Sequence, residues 1–306
     1  MALVYLAAAK GITYLGFLGL TGAVCAHFMV AILSHHAGAR LGPLEEAMGR
    51  PVRRVAVTSA LLLMGAAACR VYAQTYSVFG LDEPVTLELM QLVAFETRWG
   101  TQWLPQLSAT VFAVISVGLM LLVPAMGWWM TAAAGAALAV TLPMTGHAMS
   151  YTGGAALPWA LQAGHGLAAG LWLGTLTAVL ATIRSRSLRQ TPESDVAAAS
   201  LVGSFSPLAI VAVVVVVATG LVTATLYLDS WGQLWQTSYG RTLMGKVSLM
   251  IGTCATGAYN WRIIRPRLGS SEGSRALARS GGFELGLACA VLTLTAVLVH
   301  LPLPGE

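Results

Sequence analysis

His147, His165 and His300 are the residues of this chain best suited to chemistry, because an imidazole within or at the edge of an apolar segment is costly unless it binds something. Met144 and Met149 flank His147, so thioether sulfur and imidazole nitrogen stand close together in the chain. That donor set suits copper, above all Cu(I), whereas Mg2+ or Ca2+ calls for carboxylates. A core role is the plainer alternative for most of the twelve methionines, and a single His bonded to a neighbouring carbonyl is the alternative for His165.

Further candidates are spread along the apolar segments. Cys289 and His300 are 11 residues apart, which on an ideal helix leaves them about 20° apart in azimuth and three turns apart in depth, the spacing of a ladder of sites. Met250 and Cys254 share a helix face at i, i+4. Glu284 reads as either a cation exit site or an interfacial charge beside Arg279. Arg70 is expected to face the interior, paired with a polar group or lining a wet cavity. Lys246 can snorkel outward. His27 could take a cation leaving the bundle, while His35 and His36 read as solvated loop residues.

The elements that must position these side chains follow from composition. With 57% hydrophobic and 9% charged residues and a mean hydropathy of +0.74, the chain is a polytopic membrane protein. Crossing the hydrocarbon core takes roughly 20 apolar residues. Segments of that kind run near 11–33, 55–79, 100–123, 126–143, 157–183, 206–228, 241–264 and 280–301, which predicts an all-α fold of eight transmembrane helices. The run after Lys10 is too long for the apolar region of a signal peptide and reads as a retained first span. All four cysteines fall inside spans, against a disulfide framework.

The net charge of +5 resides in short connectors and reports orientation, with no implication of nucleic acid. Arg40, Arg50, Arg53 and Arg54 follow span 1; Arg184, Arg186 and Arg189 follow span 5; Arg262, Arg265, Arg267, Arg275 and Arg279 follow span 7. Asp82, Glu83, Glu88, Glu96 and Asp229 occupy the alternate loops. The positive-inside rule then places both termini on the periplasmic side, with His147, His165 about 12 Å deep and His300 in the outer leaflet.

Thr97-Arg98-Trp99-Gly100 before span 3 and Thr237-Ser238-Tyr239-Gly240 before span 7 read alike, each after a Leu-containing turn. Four spans separate them, so we expect two four-helix halves, 1–143 and 144–306, in parallel orientation within a single transmembrane domain. Between them 145–154 reads as a Gly/Ser/Thr loop, and 185–199 as a polar inner loop. Gly16, Gly19 and Gly22, with Gly166, Gly170 and Gly174, are spaced for close helix packing.

No Walker loop, nucleotide-binding insertion or Ser/His/Asp set is present, so an ATP-driven pump or hydrolase has no machinery in this sequence and an enzyme is not expected. Gly146-His147-Ala148 and His165-Gly166-Leu167-Ala168-Ala169-Gly170-Leu171-Trp172-Leu173-Gly174 resemble the CopD family of bacterial inner-membrane copper-resistance proteins. The likeness continues through Phe205-Ser206-Pro207, Thr219-Gly220, Thr237 to Arg241, Lys246, Asn260 and Glu284, and more loosely covers Thr97 to Trp103. The resemblance implies multi-pass residence in the inner membrane, copper movement across it and a periplasmic copper-binding partner of the CopC type. No CopC-like β-domain is read in the chain, so that partner is expected to be a separate protein. His147 and His165 carry over from the family; His300, Met144, Met149 and the cysteines are assigned from placement alone.

The expectation is therefore a permease that takes copper, as Cu(I) or Cu(II), from periplasm toward cytoplasm without ATP, through staggered modest sites. His147, His165, His300, Met144 and Met149 form the outer site, with Cys289, Cys254, Glu284, His27 and Arg70 along a possible pathway. A membrane cytochrome with two facing histidines on haem, and a copper sensor or dock that holds the metal without moving it, are the alternatives. Lipid surrounds the bundle, and a homodimer is left open.

Overall fold

The computed structural model describes residues 1–37, 42–80, 84–151, 153–185 and 192–304. Arg40, Asp82, Glu83, Arg186 and Arg189, used above to argue orientation, lie outside them. The described residues form helices α1 (Ala2–Ala37), α2 (Gly42–Phe79), α3 (Leu87–Glu96), α4 (Arg98–Leu122), α5 (Pro124–Thr141), α6 (Ala156–Ala169), α7 (Thr175–Ile183), α8 (Pro192–Tyr227), α9 (Gln233–Gln236), α10 (Ser238–Tyr259) and α11 (Ser271–Leu298), with no strand among them. A chain of this hydropathy must satisfy its backbone groups within each segment, which selects helices.

Among the described residues, seven helical stretches are long and apolar enough to cross a membrane: Ala2–His35, Met48–Phe79, Arg98–Leu122, Pro124–Thr145, Ala156–Ile183, Ala198–Tyr227 and Ser271–Leu298. The eighth expected span, over 241–264, is not among them: the 22-residue α10 is helical there, but it carries Arg241, Lys246 and several hydroxyls and is less apolar than the seven.

Several predicted loops are helical instead. Arg50, Arg53 and Arg54 belong to α2, and His35 and His36 to the last turn of α1. Residues 192–199, read as loop, form the start of α8. Polar residues lower the hydropathy there but do not break a helix whose backbone bonds are local. The stretch 145–154 also carries two short 3₁₀ turns, Leu142–Thr145 and His147–Ser150.

Helix α1 is central, touching α2, α5, α6, α7 and α11. Its contact with the α6–α7 segment is backbone to backbone. A Cβ on Gly22 would lie 1.9 Å from the Gly174 carbonyl carbon, and one on Gly174 would lie 1.9 Å from the Leu18 carbonyl oxygen. Small residues thus do the packing expected of them in lipid. Around that seam lies a core of Phe17, Leu20, Leu63, Met120, Leu138, Trp172 and Leu180. Helix α8 turns Ile210, Val211, Val214, Val217 and Leu221 outward, as a lipid-facing surface does.

The Thr-x-aromatic-Gly repeat has a physical basis. Thr97 and Thr237 are N-caps with nearly the same backbone angles, and their hydroxyls accept from the N–H of Gly100 at 3.1 Å and Gly240 at 3.0 Å. Each glycine abuts the preceding turn, where a Cβ would lie 2.2 Å from the Ala94 or Gln233 carbonyl oxygen. The same device recurs at Ser270 and Gly273 before α11, so it marks a sharp helix start as well as a repeat.

Candidate functional site

The α6–α7 segment holds two of the polar stations. Between these helices Gly170–Gly174 is a π-helical turn, a wider turn found often at functional sites. His165 lies one helical stretch before it, half-buried, with its Nδ1 3.0 Å from Thr219 Oγ1 on α8. The Thr219 hydroxyl proton is directed to the Val215 carbonyl at 2.6 Å or the Val216 carbonyl at 3.2 Å, so its oxygen accepts from His165 Nδ1–H, and the Val216 carbonyl also bonds the imidazole. In the neutral ring Nε2 is then the lone-pair nitrogen, the form that ligates a metal. Gly220 faces the same ring, and Lys246 of α10 is within electrostatic reach.

Seven residues after His165, about 10 Å along the helix, Trp172 donates its indole N–H to Glu284 Oε1 at 3.2 Å. Asn260 donates Nδ2–H to Glu284 Oε2 at 2.8 Å. Asn260 opens a second π-helical turn, Asn260–Ile264. Two widened turns on different helices therefore deliver one donor each to a carboxylate that is only 3% exposed. Asn260 Oδ1 is buried with no hydrogen-bond partner among the described residues, and the Cys254 thiol lies within electrostatic reach of Glu284. Gly257 leaves room for the carboxylate; a Cβ there would lie 3.3 Å from Oε1. The result is a buried cluster rich in acceptors, the reverse of an interfacial charge.

His300 follows the end of α11, sixteen residues and about 24 Å along the helix from Glu284. Its Nδ1 meets the Ala296 carbonyl at 2.8 Å, which again makes Nδ1 the donor and Nε2 the lone-pair nitrogen. His147, Lys10 and Arg70 are within electrostatic reach of it. His147 sits in the second 3₁₀ turn with its ring edge-on to Tyr227, centroids 6.5 Å apart. Tyr227 in turn accepts from Gln162 Nε2 at 3.2 Å, one turn before His165. His147 and His300 thus share one end of the bundle, while His165 is held in its own niche against α8.

Met144 and Met149 are half-buried on either side of His147. His27 stacks on Trp128, ring centroids 4.2 Å apart and planes 8° from parallel. Cys69 and Cys289 are exposed free thiols, and Cys25 and Cys254 are partly buried ones. Among the described residues no three His, Cys, Asp or Glu side chains converge as a metal cage.

Arg70 is buried, donating to Gln106 Oε1 and, at 2.8 Å, to Thr145 Oγ1. Lys10 donates to the same Thr145 oxygen at 3.0 Å and to the Leu142 carbonyl at 3.3 Å. Arg70 also lies over the Trp99 ring and Lys10 over Tyr14. Because they share one acceptor, the two basic heads are at most about 6 Å apart, where unit charges repel by about 3 kcal/mol at an effective dielectric of about 20. Residue type alone does not bring Lys10, Gln106 and Thr145 together: Lys10 reads as the flank of an apolar run and Thr145 as part of a loop, while Gln106, a lone amide inside a span, is the signal that marks the cluster.

The N-terminal domain model for copper resistance protein D-like proteins matches residues 1–157, and the copper resistance protein D model matches residues 199–298. The copper transport protein CutJ of Bacillus subtilis (strain 168) is 29% identical over 231 residues, which is 69% of this chain and 38% of that protein. The copper resistance protein D of Pseudomonas syringae pv. tomato is 27% identical over 224 residues, 68% of this chain and 70% of that one. This chain therefore spans well under half the length of the Bacillus relative. No solved structure matches. With one family model covering more than half of the sequence and the other most of the remainder, the chain belongs to the copper resistance protein D family.

Proposed function

We propose that this protein moves copper across the bacterial inner membrane, from periplasm toward cytoplasm, without ATP. The observation that carries the reading is the pair of fixed tautomers: Thr219 and the Ala296 carbonyl each hold an Nδ1–H, leaving Nε2 of His165 and His300 as ligating nitrogens. With the arginine-rich connectors inside, the His147 and His300 end is the periplasmic mouth, and Met144 and Met149 add thioether donors there. His165 is the next station, and Glu284 with Asn260 and Cys254 the inner one. Separate stations of one or two protein donors suit release as well as capture. A monovalent ion moving to a negative interior gains about 2.3 kcal/mol per 100 mV, which drives the flux. Both relatives are named for copper transport or resistance, which supports the cargo. A separate periplasmic copper carrier of the CopC type is the proposed donor at the mouth.

The test is copper accumulation in ATP-free proteoliposomes with an inside-negative potential. Wild type is expected to accumulate copper, and His147→Ala or His165→Ala to abolish accumulation while remaining membrane-inserted. Bound copper without flux would make the protein a dock, and a Soret band that survives washing would make it a cytochrome.

A further inference from the structure

The end of the bundle that holds His300 contains a second site whose chemistry is opposite to that of a cation pathway. A cavity of about 170 Å³ is lined by Leu6, Ala9, Arg70, Gln74, Trp99, Thr145 and His300. Lys10, 1% exposed, and Arg70, 5% exposed, converge beside it on Thr145 Oγ1. Neither meets a carboxylate among the described residues; every acceptor they use is neutral, namely Leu142 O, Thr145 Oγ1 and Gln106 Oε1.

The donor inventory sharpens this. An ammonium carries three N–H groups and a guanidinium five. Lys10 uses two and Arg70 two, so one N–H of the lysine and three of the arginine have no protein acceptor among the described residues. Thr145 cannot take more, since its oxygen already accepts from both bases and its own proton is directed to Leu142 O at 3.4 Å. The free arginine donors lie at the cavity wall, and each base is also set over an aromatic ring, Lys10 over Tyr14 and Arg70 over Trp99. Two basic groups held together by one hydroxyl leave an excess of positive charge at that wall, which a negative partner would offset.

We propose that this cavity binds a small monovalent anion, a halide or a short carboxylate, held by Arg70 at the cavity wall with the Lys10 charge behind Thr145, between α1, α2 and the Thr145 turn. The volume takes a chloride or a formate or acetate with ordered water, about 30 Å³ being the share of one water molecule. The anion cancels the charge that would otherwise repel a copper ion approaching His300 and His147. The site goes beyond the copper reading and stands without it.

The experiment uses the purified full chain without copper. Thermal unfolding is followed in sodium chloride, bromide, formate and acetate, each titrated against gluconate at constant ionic strength. A saturable rise in Tm is expected with halides, carboxylates or both, halides alone defining a halide site and carboxylates a carboxylate site. Arg70→Gln is expected to weaken the apparent affinity about tenfold or more, the loss of one charge-assisted bond, and Lys10→Met to do likewise. Where either variant is too unstable for a melt, a bromide anomalous peak within hydrogen-bond reach of Arg70 in wild-type crystals serves instead. Equal Tm values in all salts, with no bromide peak, would overturn the proposal. So would an anion response that both variants retain unchanged, or one that emerges only in Asp82→Asn with Glu83→Gln, which would make those acids the counter-charge.

Discussion

Thr219 Oγ1 accepts from His165 Nδ1 at 3.0 Å while its own proton goes to the Val215 carbonyl, so this hydroxyl on α8, with the Val216 carbonyl that also bonds the ring, favours one nitrogen of the α6 imidazole as the lone-pair nitrogen. Partners of this kind hold metal-binding histidines in register, and losing one costs about 10–100-fold in metal affinity. Thr219→Val is expected to weaken copper binding by about tenfold or more, and Thr219→Ser to restore it, with titration by a competing chelator as the measurement. Equal affinity in Thr219→Val and wild type would remove Thr219 from the positioning of His165.

Glu284→Gln preserves volume but replaces one acceptor oxygen with a donor. It therefore opposes one of the two N–H groups supplied by Trp172 and Asn260 and costs about 1 kcal/mol of stability. On the proposed pathway transport is expected to suffer far more than folding, because the buried negative charge would stabilise a passing cation. Flux in proteoliposomes set beside a melting curve separates the two. Gly257→Ala, which brings a methyl to 3.3 Å from Oε1, is expected to lower flux partially by displacing the carboxylate.

The α1 seam has no slack. Gly174→Ala places a methyl 1.9 Å from the Leu18 carbonyl oxygen, so the backbones must separate. A destabilisation of about 1–3 kcal/mol is expected, read as earlier thermal unfolding in detergent. Gly65→Ala, inside α2 with nothing within 4 Å of the added methyl, is the matched control and should hold the midpoint or raise it slightly.

The three capped helix starts provide a graded comparison. Thr97→Val, Thr237→Val and Ser270→Ala each remove the acceptor of one N–H and should each cost about 1 kcal/mol. Near-equal losses in denaturant melts are expected, because the geometry is the same at all three.

Helices and their membrane character were legible because hydropathy is a property of long windows, and the Arg70 side chain could be placed indoors by its cost in lipid alone. The helix ends were not: Arg50 to Arg54 and residues 192–199 lower local hydropathy without ending a helix, so span and helix diverge. His147, His165 and His300 could be picked out one at a time by residue type. Their separation into a mouth and a niche on α8 could not, since it depends on which helices pack, and the contact of Trp172 with Glu284 crosses more than a hundred residues of sequence. The interior position of Lys10 is hidden for a similar reason. Near the start of a chain a lysine reads as a flank, and only the arrival of Thr145 from a distant turn makes it interior.

A π-helical turn is the footprint of one surplus residue in a helix. Deleting any one of residues 170–174 would let the chain rewind to ordinary α geometry with little net rotation of the helices on either side, because the wide turn already absorbs the extra residue. His165 would keep its place against α8 and the segment after Gly174 its place against α1, while the side chains of the turn itself, Trp172 among them, would change direction. Insertions and deletions at this turn thus become the mutations by which relatives of this protein could re-aim one internal lining without moving the helices around it.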